Sequence, residues 1–184
     1  IPADKQQIVC SRSFKRRLTT YKELAEALAS FCSRAAEKLR KQGSIAGSIT
    51  VFIKTNRYNT NEPQYQRSIN ILLQQTTSDT RQIVSIAKRL LTEIFKHGYR
   101  YQKCGVQLSH IQATSIPAQI DLFGINEQNN STELMNTIDK INSRFPNGIT
   151  LSATGINTGW QVPVEYLSPH YTTNWKELAI VKCH

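Results

Sequence analysis

The most restrictive feature of this chain is a helical repeat set between stretches of two-residue alternation. Ile83, Ile86, Ala87, Leu90, Leu91, Ile94 and Phe95 fall at the i, i+3, i+4, i+7 spacing of one apolar stripe. Ser78 stands where an N-cap belongs, and Gly98 stands where the helix should stop. A second stripe, Leu24, Leu28, Phe31, Ala35 and Leu39, opens with the Thr20/Glu23 capping-box spacing and closes at Gly43. A helix with a single stripe must bury it against another element, so both helices need a shared sheet.

The sheet is visible in the alternation. From Ser48, the residues Ile49, Val51 and Ile53 alternate with Thr50, Phe52 and Lys54. Ile69, Ile71 and Leu73 alternate with Ser68, Asn70 and Leu72, beyond a polar stretch holding Arg57, Asn59, Asn61, Glu62 and Pro63. That spacing predicts an antiparallel pair. A further strand runs from Arg100 to Leu108, with Cys104, Val106 and Leu108 opposite Tyr101, Lys103, Gly105 and Gln107. The first strand, Ile8 to Phe14, precedes the basic cluster Lys15, Arg16 and Arg17. Its facing is open: Ile8, Cys10 and Arg12 share the buried side, or Val9, Ser11 and Ser13 do. The preferred arrangement turns Ser11 and Ser13 outward, with Arg12 reaching round the edge.

The order βαββαβ predicts an α+β fold, a two-layer ferredoxin-like sandwich with both helices on one sheet face and the other face open. Residues 1–111 are assigned to it. Residues 112–132 read as a connector, with Pro117, an apolar patch ending at Phe123, and a polar run from Gly124. Residues 133–184 are assigned to a small α/β unit. In it a helix uses Leu134, Ile138, Ile141 and Phe145, a break falls at Pro146, Asn147 and Gly148, and a strand carries Ile149, Leu151 and Ala153. Trp160 and Trp175 are expected to complete a minor core there.

Charge separates these parts by function. The net charge is +10, yet residues 1–110 hold 19 Lys/Arg against 7 Asp/Glu while residues 111–184 hold 4 against 6. Such a basic surface attracts polyanions, nucleic acid first. The open face is expected to carry Thr50, Lys54, Asn70, Lys103 and Gln107, with Arg12, Arg57, Arg67 and Arg100 at strand ends or edges. Ser13, Lys15, Arg16 and Arg17 join them as expected phosphate contacts. An RNA-binding module of the same order would need stacking aromatics, for which Phe52 and Tyr101 are candidates. A protein-interaction scaffold, basic only for solubility, is a third reading.

Other classes find less support. No apolar run approaches the roughly 20 residues of a spanning helix, and no signal peptide is evident, so a soluble cytoplasmic protein is expected. Cys10, Cys32, Cys104 and Cys183 lack zinc-ligand or disulfide-framework spacing and are expected to be buried thiols. No nucleophile-base constellation or phosphate loop appears, and no catalytic or metal-binding residue is assigned. Gln119, Ile120, Asp121, Leu122 and Phe123 read by composition as an edge strand or, with large apolar side chains beside the polar run, as a peptide that docks into a partner's pocket.

Several strings carry a resemblance across nearly the whole chain. They are Ser11-Arg12-Ser13-Phe14 with Thr19-Thr20-Tyr21, Arg34 through Arg40, Asn61-Glu62-Pro63, Asp79-Thr80-Arg81, His97 through Tyr101, and Leu167 through Trp175. In these the chain resembles the C-terminal half of UmuC-type Y-family polymerases, the subunits of bacterial SOS translesion synthesis. The resemblance implies that residues up to about Ile111 form the little finger, which holds template-primer duplex. It implies that Gln119 to Phe123 is the peptide docking on the bacterial sliding clamp, with Ile120 in place of the commoner Leu. It places the palm, fingers and thumb, with their Mg2+-binding carboxylates, upstream. This stretch is therefore expected to hold no cofactor and perform no nucleotidyl transfer, and its opening without Met reads as truncation. For the C-terminal unit the resemblance implies contact with processed UmuD or RecA.

Overall fold

The computed structural model describes residues 5–114, 128–155, 159, 160, 175 and 178. Within them the order is β1 (Ile8–Leu18), α1 (Tyr21–Lys41), β2 (Ser44–Thr55), β3 (Gln66–Thr77), α2 (Thr80–Ile94), β4 (Tyr101–Ala113) and α3 (Gln128–Arg144). A short 3-10 turn, Ser152–Thr154, follows. The expected α+β sandwich is present. Its sheet is antiparallel throughout, in spatial order β1-β4-β2-β3, so the last strand lies between the first two.

Register explains the two faces. The rows Ile8–Leu108–Ile49–Ile71 and Cys10–Val106–Val51–Ile69 point to the helices, and their members on the central strands are fully buried. The next row on that side, Arg12–Cys104–Ile53–Arg67, is apolar only in the middle. Arg12 and Arg67 sit on the two edge strands, where a long side chain escapes to solvent. This fixes the facing of β1: Ile8, Cys10 and Phe14 are buried, while Ser11 and Ser13 turn to the open side.

Helix α1 buries Leu24, Leu28, Phe31, Ala35 and Leu39 as its spacing predicts, and Gly43 takes the left-handed φ of 65° behind it. Thr20 caps it by accepting the Glu23 N–H. For α2 the cap moves one residue. Asp79, not Ser78, accepts the Arg81 N–H at 2.7 Å, a carboxylate being the better partner for the positive end of the helix. The Ser78 carbonyl instead takes a hydrogen bond from Arg40.

Helix α2 also ends earlier than Gly98 suggested. Phe95 is already extended, its ring packed against those of His97 and Tyr101. The Tyr101 hydroxyl accepts from the Lys96 N–H and donates to the Lys96 carbonyl, replacing helical bonds. Tyr101 itself is a correction. Alternation puts it on the open face, but the register slips between Lys54 and Thr55, so Lys103 opposes Lys54 while Tyr101 opposes Thr55. The bulge turns the ring into the core, where it is fully buried.

The C-terminal unit has no separate minor core among its described residues. Trp160 enters the main core, edge-on to Phe14 at 6.0 Å and to Phe31 at 5.5 Å, whereas Trp175 is 88% exposed. The residues expected as a strand make a 3-10 turn, and Leu151 before it and Ala153 within it pack against the same core. The run closes local turns instead, as in the Thr154 N–H to Leu151 carbonyl bond. Helix α3 starts inside the stretch read as connector. It buries Met135 rather than its expected stripe, and leaves Leu134 and Phe145 exposed.

Helix α3 is held on the sandwich by polar contacts. Arg40 binds Asp139 through two bonds of 2.7 and 2.8 Å, and also reaches the Ser78 carbonyl and the Thr80 hydroxyl. The Ser131 hydroxyl donates to Asp79. Burial alone would raise the Asp79 pKa, but bonds from Arg81, Ser131 and the Arg81 N–H outweigh it and hold the carboxyl below its ordinary value. Because the folded value is depressed, this stability is present above the unfolded value and lost as pH falls through the folded one. Replacing Asp79 with Asn, which can still cap, is therefore expected to flatten the acid limb of a stability-pH profile below about pH 4. Urea titration at stepped pH values measures it.

Candidate nucleic-acid interface

The helix-free face of the sheet is the candidate interface, and register assigns it row by row. Ser13, Lys103, Lys54 and Gln66 form one row across β1, β4, β2 and β3. The next is Ser11–Gly105–Phe52–Ser68, and the third is Val9–Gln107–Thr50–Asn70. The expected Thr50, Lys54, Asn70, Lys103 and Gln107 thus share one surface.

Lys54 and Lys103 are direct cross-strand neighbours on the two central strands. Like charges so placed destabilise a sheet by some tenths of a kcal/mol, up to about 1. Their row holds no carboxylate, and among the described residues neither lysine makes an ion pair. An anion between them would convert the repulsion into two attractions.

The middle row keeps the surface flat. A Cβ on Gly105 would lie 2.5 Å from the Phe52 ring and 2.4 Å from the Ser11 Cβ, so the absence of a side chain lets Phe52 lie against the sheet. With Phe52 laid down and Tyr101 buried, the two stacking candidates do not form a platform. In the third row the Asn70 amide donates to Ser48 and Thr50 hydroxyls at 2.8 and 2.7 Å, which fixes these groups as short, preset polar partners.

The remaining expected contacts are distributed more widely. Arg17 and Arg100 both pair with Glu62, the latter at 3.0 Å, so three chain segments meet at one carboxylate beside the lysine row. Arg16 is paired with Glu23. For Glu23 burial acts upward, yet bonds from Thr20 and Arg16 outweigh it and lower the pKa, so the carboxylate stays charged. Arg57 stacks on Tyr58 in the β2–β3 loop. Lys15 is exposed on β1. Arg12 and Arg67 lie at opposite edges on the helix side. Glu62 escaped the sequence reading as an organiser, although it is the only acidic residue between Glu37 and Asp79. Gln119, Ile120, Asp121, Leu122 and Phe123 lie outside the described residues.

Among the described residues no cluster of three or more His, Cys, Asp or Glu side chains is placed to hold a metal ion. Cys10, Cys32 and Cys104 are buried free thiols, and burial pushes the Cys32 and Cys104 thiols well up. No described helix is long and apolar enough to cross a membrane.

The model of the impB/mucB/samB family C-terminal domain matches residues 5–122, nearly two thirds of the chain. The chain belongs to this family. A second family, a domain of unknown function designated DUF4113, matches residues 132–181. Protein UmuC of Salmonella typhimurium is 39% identical over 97% of this chain, and Protein SamB of the same organism is 39% identical over 98%. The chain spans 42% and 43% of those relatives' lengths. A solved structure described as an insertion ternary complex of Dbh DNA polymerase is similar at a TM-score of 0.47 and 16% identity. That likeness covers 58% of this chain and 29% of the other. The first family match ends at residue 122 and the second begins at residue 132.

Proposed function

We propose that this chain is the duplex-gripping accessory region of a translesion DNA polymerase, working in SOS repair and mutagenesis. The observation that carries the reading is the Lys54–Lys103 pair, two lysines directly opposite on the central strands in an open, carboxylate-free row. A DNA phosphate is the anion that such a pair accommodates, and the flanking Ser13, Gln66, Thr50, Asn70 and Gln107 add hydrogen bonds to backbone oxygens. Lys15, Arg16, Arg17, Arg57 and Arg100 extend the positive field along the same end of the sheet, and Arg12 and Arg67 border it. Contacts of this kind carry no sequence information, which suits a protein that must hold any template.

The second contact is Gln119 to Phe123, whose pattern of Gln, aliphatic, polar, Leu, Phe matches a clamp-docking peptide. A weak duplex grip and a tethered clamp contact reinforce one another, since a linked site sees its target at about millimolar effective concentration. The parent protein would bear the Mg2+-dependent catalytic domains, and the C-terminal unit would meet processed UmuD or RecA.

The test is titration of a fluorescent template-primer duplex, with and without sliding clamp, using the wild-type chain and a Leu122→Ala, Phe123→Ala double variant. The wild type should bind both ligands and the variant DNA alone. Wild type that binds no duplex at about 50 mM salt contradicts the grip, because phosphate contacts are strongest there. Clamp binding that survives the double substitution contradicts the peptide assignment.

A further inference from the structure

The β2–β3 loop holds an aromatic side chain that neither the core nor the lysine row uses. Tyr58 is 79% exposed, well above Val9 and Leu72, the other large apolar side chains exposed on the sandwich. The Arg57 guanidinium lies 4.8 Å from the centre of its ring, and an Arg57 nitrogen donates to the Tyr58 hydroxyl at 2.8 Å. The guanidinium stands over one side of the ring, and most of the Tyr58 side chain remains open to solvent.

The loop beneath it is built rather than slack. Asn56 accepts the Tyr58 N–H at 3.1 Å, and Asn59 accepts the Asn61 N–H at 3.2 Å. The Gln64 amide ties the Asn59 and Glu62 carbonyls together. Glu62 fastens the loop to Arg17 and Arg100, and the Tyr65 hydroxyl donates to the Ile94 carbonyl at 2.7 Å. Holding a large ring in water with this much support costs entropy that a Ser or Gly tip would not.

We propose that Arg57 and Tyr58 form a stacking site for an unpaired DNA base next to the duplex held on the sheet. The loop follows Thr55, so it projects past the Lys54–Lys103 row at the basic end of that face. A paired base has both faces covered by its neighbours. An unpaired base beyond the duplex offers a face that a ring-guanidinium pair can cover. The inference rests on the duplex-grip reading for its location, and its test separates the two.

Three fluorescent ligands are compared: a blunt duplex, the same duplex with a four-nucleotide single-stranded extension, and the single strand alone. A 2-aminopurine at the first unpaired position reports stacking directly. Wild type is expected to prefer the extended duplex to the blunt one and to quench the 2-aminopurine. Tyr58→Ala should lose about tenfold in affinity for the extended duplex and the single strand, with quenching abolished and blunt-duplex binding unchanged. Tyr58→Phe, which keeps the ring, should behave as wild type. Equal losses on all ligands, or none, overturn the stacking site, as does tighter binding without quenching. Failure of wild type on the blunt duplex with Tyr58-dependent single-strand binding overturns the grip and leaves the stacking site standing. Failure on every ligand overturns both.

Discussion

Trp160→Ala is expected to be the most destabilising single substitution considered for this chain. Its ring is 4% exposed and meets Phe14 and Phe31 edge-on, one from the first strand and one from the first helix. Truncating a buried aromatic to Ala costs about 3 to 5 kcal/mol. In a chain of this size that lowers Tm by roughly 10 °C. Its indole N–H is buried without a hydrogen-bond partner among the described residues, a desolvation cost of about 1 to 3 kcal/mol that Trp160→Phe would remove. The Phe variant should therefore lose less than half as much as the Ala variant. Calorimetry should show one transition shifting as a whole, because this residue of the C-terminal segment is part of the sandwich core. A variant that melts like wild type contradicts that packing.

The second large effect concerns the Arg40–Asp139 pair. The Arg40 side chain is 9% exposed and donates to Asp139, the Ser78 carbonyl and Thr80. Arg40→Met keeps the aliphatic stem but leaves the carboxylate uncompensated. Removing one partner of a buried pair costs about 3 to 5 kcal/mol, and the 23% exposure of Asp139 places this case near the low end. Asp139→Asn retains an acceptor but removes the counter-charge of Arg40, the more buried partner, so it too should weaken the docking of α3. Hydrogen exchange localises the effect: α3 amides should lose protection while β4 amides keep theirs. Equal loss in both would mean that the pair supports the whole sandwich rather than the docking of α3.

The sandwich was legible because its signals are periodic and local. The stripes of α1 and α2 and the alternation of β2 and β3 each survive as observed faces, since a one-residue slip would move every apolar side chain to solvent. Tyr101 was misplaced because a bulge interrupts the period, and nothing in the local spelling of the strand marks it. The Asp79 cap goes with a contact from Arg40 to the Ser78 carbonyl across a long sequence separation, and the early end of α2 rests on the packing of Phe95, His97 and Tyr101, which apolar spacing does not show. The same holds for Trp160, which resembles a minor-core residue until the position of Phe14 and Phe31 is known.

The interface was legible in part. Lys54 and Lys103 could be placed on one face by parity, but their direct opposition follows only from register across β2 and β4. The fates of Arg17 and Arg100 could not be read, because Glu62 reaches them from a loop whose path parity does not describe. Only the alternative RNA-binding reading needed stacking rings on the open face, with Phe52 and Tyr101 as candidates. Gly105 instead lets Phe52 lie flat, and the exposed ring is Tyr58, in a segment read only as a polar spacer.

The salt dependence of duplex binding, compared between wild type and a Lys54→Ala, Lys103→Ala double variant, tests the central claim most directly. Each phosphate contact contributes about 0.9 to the slope of log affinity against log salt. If the facing lysines hold the backbone, the double variant should bind more weakly and its slope should be shallower by about 2. A variant with wild-type affinity and slope would contradict the claim that the open sheet face grips DNA.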